Sequence, residues 1–356
     1  PGAADGSGEV AVRRISRVLP LGLAVAAGVA AVALHPEGPG AWSTRVYPAW
    51  TALIVPATER APWPWTPLLA SALAVVLAVS IVRGPRRVRT WTRVIGVVLL
   101  VGAGFEASWG LPAARPSVES RLGLRPTSHP PGSPGSPATP GELAELAELA
   151  ELAELGRVAL KLAEIVRRDA PVEGVDAPAA HAAVVRSLAT FAPGVRLPVA
   201  PKVVPAGVLG PLGVAGVVSP WTLEAHVDGA LPPWAQVATG AHEAAHLAGY
   251  ESEAGAELVG LLAGIRADHP HARYASALRA WASLPASTRR ATVLPPRAYA
   301  DLGALQAAVS TRWDAPARLL WSAYERWLLV RGQRDGLAGY AAGPRLLASA
   351  AEAGWW

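Results

Sequence analysis

The sequence predicts a mainly helical α+β protein, with three transmembrane helices followed by an outer domain that holds a small β-sheet. Three observations predict it. Apolar runs at about 18–34, 63–82 and 94–111, the first two uncharged, fill the first third of the chain, and arginines cluster between them. Short apolar segments punctuated by glycine and proline, from Val203 to Val227, interrupt an otherwise helical second half. Residues 240–257 then read GAHEAAHLAGYESEAGAE, which puts two histidines one helical turn apart.

The first run, Val18 to Leu34, follows Arg13, Arg14 and Arg17. The second, Ala61 to Val82, has Trp63 and Trp65 at its entry, where interfacial aromatics belong. RGPRRVRTWTR (Arg83 to Arg93) separates it from the third, Val94 to Leu111, which Glu106 interrupts. Cytoplasmic loops collect Lys and Arg, so this pattern places the N-terminus and the 83–93 loop inside. It predicts a multi-pass cell-membrane protein whose later domain is extracytoplasmic, with the lipid bilayer as its first partner. The predicted organisation is a membrane domain at 1–111, a linker at 112–141 and an outer domain at 142–356.

Charge distribution argues against a nucleic-acid partner. The net charge is +5, and residues 1–110 hold ten basic and five acidic side chains, so the remainder of the chain is neutral. The excess marks topology and not a phosphate-binding surface. Cysteine is absent, which excludes disulfides and thiolate-ligated metals.

Thr127 to Gly141 is rich in Pro, Gly and Ser and reads as a flexible linker. ELA repeats from Glu142 to Leu155 open a helix expected to run to about Arg168. Pro178 to Phe191 predicts another, with its proline in the first turn. In Val203 to Trp221, four glycines and three prolines favour short strands with tight turns over a fourth span. Trp221 to Val227 alternates as a strand does, and the pattern is helical from Pro233.

His242 and His246 on one helical face could share a tetrahedral metal ion, and Glu243 stands beside that face to take a proton from water. A third ligand is required. On one unbroken helix Glu253 would lie about 10 Å past His246, out of reach of a bond of about 2 Å. The helix must therefore stop. Gly249 suits the left-handed residue that ends helices, and Ser252 could cap a returning helix carrying Glu253 and Glu257. On that helix Glu253 is the expected ligand. Glu257, about 6 Å further along, is the expected partner of a ligand histidine. Glu251 falls in the turn.

Glu224 and His226, on the strand before this helix, could line the cleft or form an ordinary polar pair. Tyr274, Arg273, Tyr250 and Tyr340 are candidate donors to a tetrahedral intermediate, each set against a structural role. His269 and His271 read as surface residues, and His35, His129 and His181 join no constellation.

The chain resembles the domain-of-unknown-function 3810 family over nearly its whole length. The matching stretches are YPAW (Tyr47–Trp50), SWGLPAARP…RLGL (Ser108–Leu124), PKVVPAG (Pro201–Gly207), GVVSPWTLEAHV (Gly216–Val227), HEAAHLAGYESEAGAE (His242–Glu257) and YERWLLVRGQRDGLAGY (Tyr324–Tyr340). The resemblance implies a membrane-anchored zinc metallopeptidase with a zincin-like domain, in which HExxH is followed by a glycine and an E-x-x-A-N type motif. Here Glu257 stands where that motif has Asn, and Gly255 where a further acid is frequent.

The expectation is a zinc-dependent metallopeptidase that hydrolyses peptide bonds of a protein or peptide substrate outside the cytoplasm. Its zinc would be held by His242, His246 and Glu253, with Glu243 catalytic. The alternative is a non-catalytic membrane binding or scaffold protein with a structural or vestigial metal site. An intramembrane protease fits poorly, because Glu243, Glu251, Glu253 and Glu257 crowd the segment.

Overall fold

Apolar runs become helices here, but with limits other than those their composition suggests. The computed structural model describes residues 18–35, 38–61, 63–83, 88–111, 115–124, 140–309, 314–330 and 342–356. Most of the expected linker and Tyr340 lie outside the described residues. The chain divides into two compact units, one of Pro1–Arg115 with Ser219–Glu224, the other of Pro116–Val218 with Ala225–Trp356.

In the first unit, α1 (Val18–Leu34) packs along the later helix α4, and Gly22 permits a close crossing. A Cβ on it would come within 2.6 Å of the Gly96 carbonyl oxygen. Next come α2 (Tyr47–Glu59), α3 (Trp65–Arg83) and α4 (Val88–Phe105). The expectation of three membrane crossings is overturned: no helix among the described residues is long and apolar enough to cross a membrane. A span needs about 20 apolar residues. By contrast α1 has 17 residues. Helix α3 has 19 and ends on Arg83. Helix α4 begins within the arginine-rich segment, so Arg89 and Arg93 are part of it, and at Glu106–Gly110 its backbone widens into a π-helical turn. The third apolar run is therefore split between two kinds of helix.

The second unit is mainly helical around a three-stranded sheet. Helix α5 (Val118–Leu122) precedes the long α6 (Pro140–Asp169), which covers the ELA repeats and buries Leu155, Val158, Leu162 and Val166. Helix α7 (Ala177–Leu188) starts where Asp176 accepts from the Ala179 amide, with Pro178 in its first turn. The strands β1 (Lys202–Val204), β2 (Gly216–Ser219) and β3 (Glu224–Asp228) follow, in spatial order β1-β3-β2. Strands β1 and β3 are parallel, with Lys202 opposite His226 and Val204 opposite Asp228. After the sheet come α8 (Pro233–Leu247), α9 (Glu253–Ile265), α10 (Pro270–Ser283), α11 (Pro296–Ala308) and α12 (Asp314–Val330), with a single turn of helix at Ala286–Arg289 between α10 and α11. A last helix, α13 (Gly343–Glu352), packs on α6.

Helices α8, α9 and α10 pack on one another and form the core, with α7 against α8. A side chain at Gly260 on α9 would meet the Ala241 carbonyl group at 2.9 Å, so glycine lets the backbones of α8 and α9 approach. That approach decides what the acidic residues of α9 can reach.

Candidate metal centre

Helix α8 carries His242, Glu243 and His246, and it ends as the sequence requires. Ala248 closes the helix and Gly249 adopts φ +83°. The Gly249 amide donates to the His246 carbonyl at 2.9 Å, and the Tyr250 amide donates to that of Ala245 at 3.1 Å. This paired bonding is the Schellman arrangement, and it reverses the chain. Ser252 then caps α9, its side chain accepting from the Gly255 amide, so that Glu253 is the first residue of the returning helix.

The reversal brings three side chains together. His242 Nε2 lies 3.1 Å from His246 Nε2 and 3.1 Å from Glu253 Oε2. His246 Nε2 is 3.4 Å from that same oxygen. Tetrahedral ligand atoms at zinc bond lengths of about 2.0–2.1 Å stand about 3.3 Å apart, so this triangle has the dimensions of three corners of such a site. Among the described residues, His242, His246 and Glu253 form the one group able to hold a metal ion.

Neighbours fix the ring orientations. His242 Nδ1 donates to Glu257 Oε2 at 3.0 Å, and His246 Nδ1 donates to the Tyr250 carbonyl at 2.8 Å. With both Nδ1 atoms facing acceptors, both Nε2 atoms present lone pairs to each other and to a carboxylate. Such an arrangement repels itself until a cation lies among the three atoms. A proton meets the same need: burial lowers the His242 pKa, but the Glu253 and Glu257 carboxylates outweigh it and push it up to about 10. Burial likewise raises Glu253, yet the two histidines hold it well below the usual carboxylate range. Glu257 is also held low against burial, by Arg279 and His242, and the Arg279 Nε donates to its second oxygen at 2.9 Å.

Glu243 is 6 % exposed, and burial raises its pKa although both histidines oppose the shift. Its Oε1 rests against Gly216 of β2, where a Cβ would lie 2.8 Å from it and 2.7 Å from Thr239 Cγ2. Only a glycine at 216 leaves that carboxylate its place.

Tyr324, on α12, was invisible to spacing arguments. Its hydroxyl donates a short hydrogen bond to Glu253 Oε1, the oxygen turned away from the histidines. Arg279 was missed as well. Both lie far along the chain from the residues they hold, and no local pattern marks them.

The other candidates have different employment. The Glu224 carboxylate accepts from the Trp65 and Thr66 amides at 3.1 and 3.0 Å, and from the hydroxyls of Thr66 and Thr222. It caps the N-terminus of α3, where a negative charge is favoured. Tyr274 is fully buried and donates to Asp301 Oδ2 at 2.6 Å. His226 is buried on the central strand, outside the converging triad. Arg273 binds Asp169, and the Tyr250 hydroxyl donates to the Phe191 carbonyl.

No curated protein and no solved structure matches the chain. One family model, described as protein of unknown function (DUF3810), matches residues 42–348, most of the length. The chain belongs to the DUF3810 family.

Proposed function

We propose that this protein is a zinc-dependent metallopeptidase, with zinc held by His242, His246 and Glu253. The observation that carries this reading is the triangle of two Nε2 atoms and one carboxylate oxygen with sides of 3.1–3.4 Å, beside a buried glutamate on the same helix. Two imidazoles and a carboxylate are a donor set that zinc takes readily in hydrolytic sites. When bound, the metal supplies Lewis acidity toward a scissile carbonyl and toward water.

The chain's own residues supply the rest. Glu243 takes a proton from the attacking water as the C–O bond forms, then passes it to the amine nitrogen as the C–N bond breaks. Burial raises its affinity for that proton, which suits a group that must both accept and return it. Glu257 and the Tyr250 carbonyl hold the imidazoles with Nε2 inward, and Tyr324 holds Glu253.

The test combines metal analysis with hydrolysis of a mixed peptide library. The wild type should carry one zinc per chain and cleave peptides. Glu253→Ala should lose the metal. Glu243→Gln should keep it and lose hydrolysis by about 10²–10⁴-fold, the usual worth of a positioned base. Metal retained in Glu253→Ala, or cleavage retained in Glu243→Gln, would refute the reading. Bound metal with no cleavage in the wild type would make the site structural.

A further inference from the structure

Beside the metal centre the second unit holds a cavity of about 410 Å³. Its walls come from the segment before β2, from α8 and from α11, and include Val214, Leu231, Trp234, Leu302, Leu305 and Val309. Two contacts tie it to the site. Thr239, which lines it, stands one helical turn before Glu243, and both side chains close on Gly216. Arg279, which also lines it, donates to the glutamate that holds His242.

Of the polar groups at the wall, Asp228 is engaged, while the buried Arg289 Nε has no hydrogen-bond partner among the described residues. Asp228 Oδ2 accepts from the Leu209 and Gly210 amides at 2.8 and 2.7 Å, and Oδ1 accepts from Ala230 at 2.8 Å. Those bonds hold the Asp228 carboxyl below its usual range against the effect of burial. The Arg289 guanidinium lies 5.3 Å from the Trp281 ring centre. What faces the space is mostly aliphatic and aromatic carbon, and the volume falls in the range of roughly 300–1,000 Å³ typical of small-ligand sites. An occupant with an apolar surface gains most there, at about 25 cal/mol for each Å² removed from water.

We infer that this cavity is a specificity pocket that takes a bulky apolar side chain, leucine or phenylalanine, next to the bond cleaved at the metal centre. The inference rests on the peptidase reading and adds a substrate class to it. It assigns Leu305 and Ala308 of α11, a helix that carries none of the metal ligands, to substrate selection.

The test uses the full chain and fluorogenic peptides that differ only in the residues flanking the scissile bond, with Leu, Phe, Ala or Asp at each. The wild type should favour Leu or Phe at one flanking position by at least tenfold in kcat/KM. Ala308→Trp, which fills the pocket, should lose that preference and still cleave the alanine peptide. Binding supplies a second readout: the best peptide, titrated into Glu243→Gln by calorimetry, should bind at least tenfold more weakly when Ala308→Trp is added. Should Ala308→Trp fail to fold, Leu305→Ala, which enlarges the pocket, should shift preference toward Phe. A preference for Asp, or a preference unchanged in Ala308→Trp and Leu305→Ala, would overturn the pocket while leaving the peptidase reading intact. A wild type that cleaves no peptide, while Glu243→Gln still binds the leucine or phenylalanine peptide through this cavity, would remove the peptidase reading and keep the pocket.

Discussion

Tyr324 shows how a single remote hydroxyl can hold a candidate metal ligand in place. A glutamate ligand has two oxygens, and whichever is not bound to metal needs a donor, or the carboxylate rotates. Tyr324 supplies that donor from a helix remote in sequence. Burial raises its pKa and the Glu253 charge raises it further, so the phenol stays protonated and keeps donating at any ordinary pH. Tyr324→Phe should leave the fold intact by circular dichroism and weaken zinc binding by about 10–100-fold, as the loss of a group orienting a ligand does. An unchanged affinity in competition with a chelator would show that Glu253 needs no such support. Glu224 teaches the converse. From its position on a strand before the HExxH helix it could have been a cleft residue, yet its partners lie about 160 residues away, at the start of α3. A carboxylate's role depends on what folds against it, and local spacing carries no record of that.

The turn between α8 and α9 was legible because each of its parts is local. Two histidines at a four-residue spacing, a glycine three residues later and a serine before a glutamate follow from helix geometry alone. Gly249→Ala should cost about 1–2 kcal/mol, since the left-handed conformation brings Cβ against the next carbonyl. Gly249→Asn, which tolerates that conformation better, should cost less. Urea midpoints of the three chains decide it; equal values for Gly249 and Ala would contradict the φ of +83°. The sheet was also legible, because glycine and proline at short intervals leave room for little else. Helix limits were not. Apolar composition marks where a helix is stable, but α4 starts six residues earlier than its apolar run, among arginines, and turns to π geometry before the run ends. Helix-forming residues extend a helix whether or not they are apolar, so hydropathy overstated the membrane-crossing character of these segments.

Across the whole molecule, pH acts on the fold through a residue with no place in the site. His181 on α7 is 3 % exposed, and burial lowers its pKa to about 4. Its neutral ring packs against Gly240 of α8, where a Cβ would come within 2.5 Å of it. A histidine with a depressed pKa contributes stability that is complete above its unfolded value of about 6.5 and is lost as pH falls toward the folded value. From pH 7.5 to pH 5 the loss should be about 2 kcal/mol. His242, raised in the metal-free chain, acts in the opposite direction, so the comparison must be with His181→Leu, in which the His242 contribution is the same and cancels. The stability advantage of wild type over His181→Leu, from denaturant midpoints, should shrink by about 2 kcal/mol over that interval. A constant difference would mean that His181 is protonated inside the fold. The hydrogen-bonded chain from Arg279 through Glu257 to His242 also sets the local charge balance. Glu243, Glu253 and Glu257 bring three negative charges to one buried spot, and Arg279 returns one positive charge. Two negative charges are left over. A doubly charged ion brings that sum to zero, while sodium or potassium leaves an uncompensated charge in a low-dielectric interior, where it is costly. The guanidinium thus lowers the net negative charge around His242, His246 and Glu253 without belonging to that triad.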